Sequence, residues 1–442
     1  MDISAGRVTR RTFLGGAGLV AAAGLAACGN GGGGGSSSDD SNRSGNVYWL
    51  NFKPEMDGAI QDLAKKYMDK YPNVKVKITT AASGTYEQTL TSEMDKSDAP
   101  TLFVIGNTAG VREWGDYAMD LKDTDIAKLL STEDYNLSDD SGKLVSIPYC
   151  YECFGIVVNP DLVKKAGHSV DEIKDFASLK AVVEDMHKKA AANGFDAFVA
   201  TDMDSSSSWC ITGHLTNLAL FYEARDDGGW KEAPSTIKGT YLPNYKNLYD
   251  LAINNSTVEP SSLATGGHDP LTQFTDGKAA FFFRGTFGYA DIKDKVPNAV
   301  CIPYYGGVEG EEKAALNCGT ENCWAISDNA SDEDKKATMD FMCWLVSDSE
   351  AAQTLVDQLG VLPYKDAPES ADPFYAQEQT YEDRGNYIMT WNFSYTPNVD
   401  EFRSNLVSAL NAYNDSPSDS TWEGVRTAFV DGWAEQYKKA NG

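Results

Sequence analysis

This chain reads as an α/β protein in two lobes, on three observations. Its 442 residues exceed the size at which a single hydrophobic core stops growing, so two lobes are expected. A short apolar run, Val47-Tyr48-Trp49-Leu50, precedes apolar positions at helical spacing between Asp57 and Tyr71, a Pro72-Asn73 stop and the alternating run Val74-Lys75-Val76-Lys77-Ile78. Strand, helix and strand in that order make a βαβ unit, whose parallel strands need a right-handed crossover. The pattern then recurs, with a helix from Tyr86 to Met94 and a buried strand over Thr101-Leu102-Phe103-Val104-Ile105.

The segment ahead of this body is an address. Arg10-Arg11-Thr12-Phe13-Leu14, an apolar run and Leu25-Ala26-Ala27-Cys28 read as a twin-arginine export signal that ends in a lipoprotein cleavage box. The mature chain is therefore expected to begin at a lipidated Cys28, on the extracytoplasmic face of the cell membrane. The run from Phe13 to Ala27 is shorter than the roughly 20 residues that span a bilayer, which disfavours a permanent helix. Gly29 to Gly45 holds no apolar side chain and should act as a flexible tether with a root-mean-square span of about 20–25 Å.

Further along, Val145 to Asn159 is the strongest strand signal in the chain. Helices are predicted over Pro160–Lys165, Leu179–Ala192 and Leu215–Phe221, and another buried strand over Ala279–Phe283 behind a helical segment at Asp269–Gln273. The last third is mainly helical: Asp332–Val346, Glu350–Leu359, Asp400–Asn414 and Thr421–Lys439. No short internal repeat is present, which argues against a solenoid.

Charge narrows the function classes. With 38 Lys and Arg against 65 Asp and Glu the net charge is −27, and the basic leader leaves a body near −29. Such a surface repels nucleic acid and anionic headgroups, so no nucleic-acid partner is expected. Aromatic residues make up 11% of the chain, with 9 Trp and 22 Tyr, which is rich for a core alone and suggests that some rings line a site. Eight cysteines less Cys28 leave an odd seven, so at least one thiol stays outside any intramolecular pair. Cys150 and Cys153 sit three apart in an apolar run, on opposite sheet faces, which favours structural burial over a redox or zinc half-site. Cys318 and Cys323 flank a Gly-Thr-Glu-Asn loop and are candidates for a small disulfide. With 4 His and no matching second Cys pair, neither a metal site nor another cofactor is expected.

Five pieces in order carry a family resemblance: Trp49-Leu50-Asn51 before the first helix, the Asp98-Ala99-Pro100 turn, Ile147-Pro148-Tyr149 to Asn159-Pro160-Asp161, Phe274-Thr275-Asp276-Gly277-Lys278 to Gly285-Thr286-Phe287, and the helix ending Leu345-Val346-Ser347-Asp348-Ser349-Glu350. Behind a lipoprotein signal, they resemble the extracellular solute-binding proteins of the carbohydrate-uptake, maltodextrin-binding type, over most of Asn46–Lys439. The resemblance implies a two-lobed periplasmic-binding-protein fold of type II, with a ligand cleft between lobes joined by hinge strands. It places residues 46–150 and 301–346 in the N-terminal lobe, and 151–300 and 347–442 in the C-terminal one. It implies a monomer that binds a carbohydrate, catalyses nothing and hands its ligand to the permease subunits of an ATP-binding-cassette importer.

A sugar presents apolar C–H faces and a hydroxyl rim, so its site needs aromatic platforms with charged or amide groups beside them. By family position, the polar candidates are Asn51 and Lys53 after the first strand, Asn107 after the third, and Glu152 on the hinge strand. Phe287 stands where the family carries a stacking ring. Trp209, Trp324 and Trp391 are further platforms, and Tyr86 and Tyr151 are rims. Three rivals stay open: an exported glycoside hydrolase, which needs two facing carboxylates; a binder of a polyamine, metal chelate or peptide; and a receptor that presents its closed form to a kinase. The chain has no phosphate-binding Gly-x-x-x-x-Gly-Lys-Ser/Thr loop, and no Gly-x-Ser-x-Gly elbow.

Overall fold

Among the described residues the strands fall into two six-stranded sheets, each covered by helices. The computed structural model describes residues 43–442 apart from 83–84, 134 and 205–207. The leader, Cys28 and the tether as far as residue 42 lie outside the described residues. Two residues assigned to the tether pack on the body: the Arg43 guanidinium lies 4.4 Å from the Tyr71 ring, and Ser44 donates to Glu333 at 2.6 Å.

In chain order the strands are β1 (Gly45–Asn51), β2 (Val74–Thr80), β3 (Leu102–Val104), β4 (Leu137–Ser138), β5 (Leu144–Pro148), β6 (Glu152–Val158), β7 (Asp196–Phe198), β8 (Ala279–Gly285), β9 (Val300–Ile302), β10 (Ala314–Gly319), β11 (Cys323–Ile326) and β12 (Tyr387–Thr390). The first sheet runs β2-β1-β3-β11-β5-β4 and the second β12-β10-β6-β8-β7, with β9 also paired to β6. The predicted βαβ unit is present: β1 and β2 pair in parallel from Gly45 opposite Val74 to Asn51 opposite Thr80, joined through the helix Asp57–Lys70. That helix buries Ile60, Leu63, Ala64 and Tyr67 on the stripe its periodicity marks.

The run from Val145 to Asn159 is not one strand. It breaks after Pro148, which has no amide to give a ladder, and resumes at Glu152 in the other sheet. Between the two, Tyr149 donates its amide to Asn322 O at 2.8 Å and Tyr151 donates to Val361 O at 2.9 Å. The first two of these segments are passages between the lobes, and the segment that leads to the third is hydrogen-bonded to the first through Val361. This corrects two expected boundaries. The chain returns to the first lobe at Cys323 rather than residue 301, because β9 and β10 both pair with β6. It leaves again after Ala367 rather than after residue 346, because the helix Ser349–Leu359 buries Ala351, Ala352, Leu355 and Val356 in the first core, where Leu362 and Tyr364 still pack, and Lys365 donates its amide to Leu129 O at 3.0 Å. Before that exit the chain touches the second lobe at Gly360, where φ is +90° and a Cβ would lie 2.2 Å from the Tyr375 ring.

The four cysteines singled out above are all buried. Cys150 packs in the first core and Cys153 under the second sheet. Cys318 and Cys323 enter different sheets, opposite Cys153 and Pro148 respectively, so the small disulfide between them does not form. The predicted Thr421–Lys439 helix divides into Asp419–Arg426 and Gly432–Asn441 around a wider turn. Helices at Thr108–Trp114, Leu242–Ile253 and Pro373–Asp383 were not predicted.

Candidate ligand-binding cleft

A cavity of about 370 Å³ lies where the two sheets face each other, a size suited to a small molecule. Its N-lobe wall starts at the end of β1. Asn51, fully buried, accepts from the Lys53 amide at 3.0 Å and donates to Lys53 O at 2.7 Å, closing a tight turn. The turn aims Lys53 across to the second lobe, where its Nζ lies 2.6 Å from Glu152 Oε1; Glu55 Oε1 is 3.2 Å away on the near side. Asn322, on the second passage, donates to Glu152 Oε2 at 3.0 Å. Burial opposes the charge on Lys53, but Glu152 and Glu55 overcome it and hold the ammonium well above the usual lysine range.

The C-lobe side is an aromatic floor. Phe154 stacks on His214 at 4.0 Å and on Phe287 at 5.7 Å, and Trp209 meets Phe287 at 5.3 Å. Trp391 and Phe393 extend the floor beyond His214, at 5.0 and 4.7 Å. Burial drives His214 well below its usual pKa, so the ring is neutral and serves as a packing element. Arg284 lies 4.7 Å above the Phe287 ring and pairs with Asp291 at 3.4 Å.

At the far end the wall is acidic. Glu87 accepts from Trp114 Nε1 at 3.2 Å, and burial pushes its carboxyl up to about 7. Glu321 is likewise pushed up to about 7 by burial, which Arg403 only partly offsets. Asp400, on the C-lobe helix Val399–Asp415, is also raised by burial. The Arg403 guanidinium donates to Thr212 at 3.3 Å and lines the cavity between Asp400 and Glu321.

Of the residues expected at the site, Lys53, Tyr86, Asn107, Glu152, Trp209, Phe287 and Trp391 line this cavity. Tyr86 presents its ring, since its hydroxyl already accepts from the Val104 amide at 2.7 Å. Asn107 caps the helix Thr108–Trp114 through Gly110 N at 2.8 Å. The other three do not line it. Asn51 is spent on the turn, Trp324 is fully buried against Tyr149 at 4.7 Å, and Tyr151 is buried beside Tyr135 and Tyr375. Trp324 falls in the first core because β11 is an interior strand, flanked by β3 and β5.

Residues 62–382 match the sequence profile of the bacterial extracellular solute-binding proteins, which is well over half the chain. The chain belongs to that family. Solved structures share the fold of this solute-binding protein at low identity. RafE in complex with raffinose is 17% identical, with 90% of this chain and 100% of that one aligned, at a TM-score of 0.68. A Listeria monocytogenes binding protein in complex with cycloalternan gives 17%, 90%, 100% and 0.65 by the same measures. A chitin-oligosaccharide-binding protein gives 17%, 91%, 99% and 0.64.

Sequence reasoning missed Glu55, Glu87, His214, Arg284, Glu321, Asn322, Asp400 and Arg403 as lining residues of this solute-binding protein. Only Glu55 had a local signal, as the acid two residues past Lys53 in a turn leaving a strand. The rest are brought to the cleft by contacts between lobes that no spacing in the chain encodes.

Proposed function

We propose that this solute-binding protein captures a saccharide between its lobes and delivers it to the permease of an ATP-binding-cassette importer. The observation that carries the reading is the pairing of an aromatic floor on one lobe with charged and amide groups on the other. The floor of Trp209, Phe287 and Trp391 suits the C–H face of a sugar ring. Lys53, Glu55 and Asn322 opposite the floor suit its hydroxyls through charge-assisted hydrogen bonds, and Arg403 adds a guanidinium from the C-lobe. Contact with both lobes provides the free energy for a hinge closure about the three passages. Raffinose, cycloalternan and chitin oligosaccharides, bound by proteins of this fold, are the first ligands to try.

In this reading the protein binds without turnover, and a lipid on Cys28 keeps it on the extracytoplasmic face of the membrane. Titration calorimetry against a saccharide panel, with X-ray scattering on the same samples, tests it. Micromolar binding with a reduced radius of gyration is expected, and the sugar is recovered intact. Failure of every saccharide to bind, with spermidine binding instead, overturns the sugar reading. Release of cleaved sugar overturns the assignment as a binder.

A further inference from the structure

We infer that Cys153 and Cys318 close a disulfide that fastens together the two strands leading through the hinge. They face one another in direct register: β6 and β10 are antiparallel, and Cys318 lies opposite Cys153 between the pairs Asn317–Phe154 and Gly319–Glu152. The Cys153 amide donates to Thr286 Oγ1 at 3.1 Å, and its carbonyl accepts from the same hydroxyl at 3.4 Å. Thr286 follows β8, on the other side of β6, so both backbone groups of Cys153 turn away from β10. Opposed residues of that non-hydrogen-bonded kind have Cα atoms about 4.5 Å apart, within the range a disulfide spans. Directly opposed residues share a sheet face, and both side chains are buried in the same apolar cluster.

No other cysteines among the described residues are so matched. Cys301 pairs with Val157, four residues further along β6, and its Sγ lies over Gly155, still two residues or about 7 Å along the strand from Cys153. Cys323 faces Pro148, which places Cys150 on a diagonal of about 7–8 Å, beyond easy bridging. Cys210 packs against the second core and Cys343 against the first.

Closure is thiol–disulfide exchange with an oxidised glutathione or dithiol donor. One cysteine thiolate attacks the donor S–S bond, and the second displaces the donor sulfur from the mixed disulfide. One S–S bond forms as one breaks, and the two electrons and two protons lost by the protein pass to the donor. Because both positions are buried, exchange occurs while β10 is still docking on β6. The bridge then lies one residue from Glu152 on one strand and one residue from Gly319 on the other, at the base of the hinge.

The test is to refold the full chain in a buffer of oxidised and reduced glutathione, then alkylate it in denaturant, digest it and map it by mass spectrometry. Two thiols fewer than in a fully reduced control, and a linked peptide pair carrying Cys153 and Cys318, are expected. The oxidised form should melt several degrees above the protein refolded without oxidant. In the double variant Cys153→Ser/Cys318→Ser that difference should vanish. Full alkylation of both cysteines after oxidative refolding overturns the inference, as does a cross-link joining either to another cysteine, or a redox-dependent melting shift that survives in the double variant.

Discussion

Glu152→Gln tests how the hinge is held. Lys53 and Glu152 are 2.6 Å apart, with side chains only 7% and 6% exposed. At an effective dielectric of about 20 the attraction is worth about 6 kcal/mol before desolvation, and removing one partner of such a buried pair costs about 3–5 kcal/mol. The lower end applies here, because Glu55, 3.2 Å from Lys53 and 37% exposed, still compensates the ammonium. A deficit of about 3 kcal/mol in a lobe of this size lowers its melting temperature by about 6–12 °C. Differential scanning calorimetry of the ligand-free protein measures it, and the double variant Lys53→Met/Glu152→Met should recover most of the loss, since the one charge left without its partner, Glu55, is 37% exposed to water. Lys53 is held above its ordinary pKa, so on the lysine side the pair's contribution is undiminished up to about pH 10 and falls away as alkali titrates the ammonium. The deficit should therefore be equal at pH 6 and pH 8. A single variant that melts within 2 °C of the parent, or a double variant worse than the single, refutes the reasoning.

Trp209→Ala should weaken binding of a saccharide ligand by about 1–3 kcal/mol in titration calorimetry while leaving the melting temperature nearly unchanged, because it removes a platform at the edge of the second core. Trp324→Ala should do the reverse, costing about 3–5 kcal/mol of first-lobe stability through a core cavity, seen as a large drop in melting temperature. Glu321→Gln should give a pH-dependent gain. A carboxyl raised to about 7 by burial opposes folding increasingly as pH rises from about 4.5 to 7, so the variant should match the parent near pH 4.5 and melt higher above pH 7. A difference that is flat with pH excludes that carboxyl as its source. Gly319→Ala places a Cβ 2.8 Å from the Trp391 ring, so it should displace that platform and lower affinity without unfolding the second sheet.

Local pattern made much of the fold legible. The βαβ unit of β1 and β2 followed from a strand alternation and one helical stripe, and the helices read over Asp332–Val346 and Glu350–Leu359 are present as Asp332–Ser347 and Ser349–Leu359. What the chain hid was lobe membership. Apolar runs such as Val300–Ile302 and Cys323–Ile326 look alike in sequence, and only their pairing partners, β6 in one case and β3 in the other, assign them. The same holds for Trp324 and Trp391: each tryptophan sits by a strand end, yet one is sealed between strands and the other lies at the cavity. Among 65 acids, nothing in the sequence marks Glu87, Glu321 and Asp400 as neighbours, because they meet only once both lobes are built.

The position of β11 bears on how the polypeptide assembles as it emerges from the ribosome. An interior strand of the first sheet arrives only after everything from Glu152 to Gly319 has been made, so the opening portion of the chain must wait with a gap in its middle. The second sheet waits in turn for β12 at its edge. Neither half can mature in order of synthesis, such long-range pairings are slow to form, and fragments cut at any one hinge passage should be insoluble.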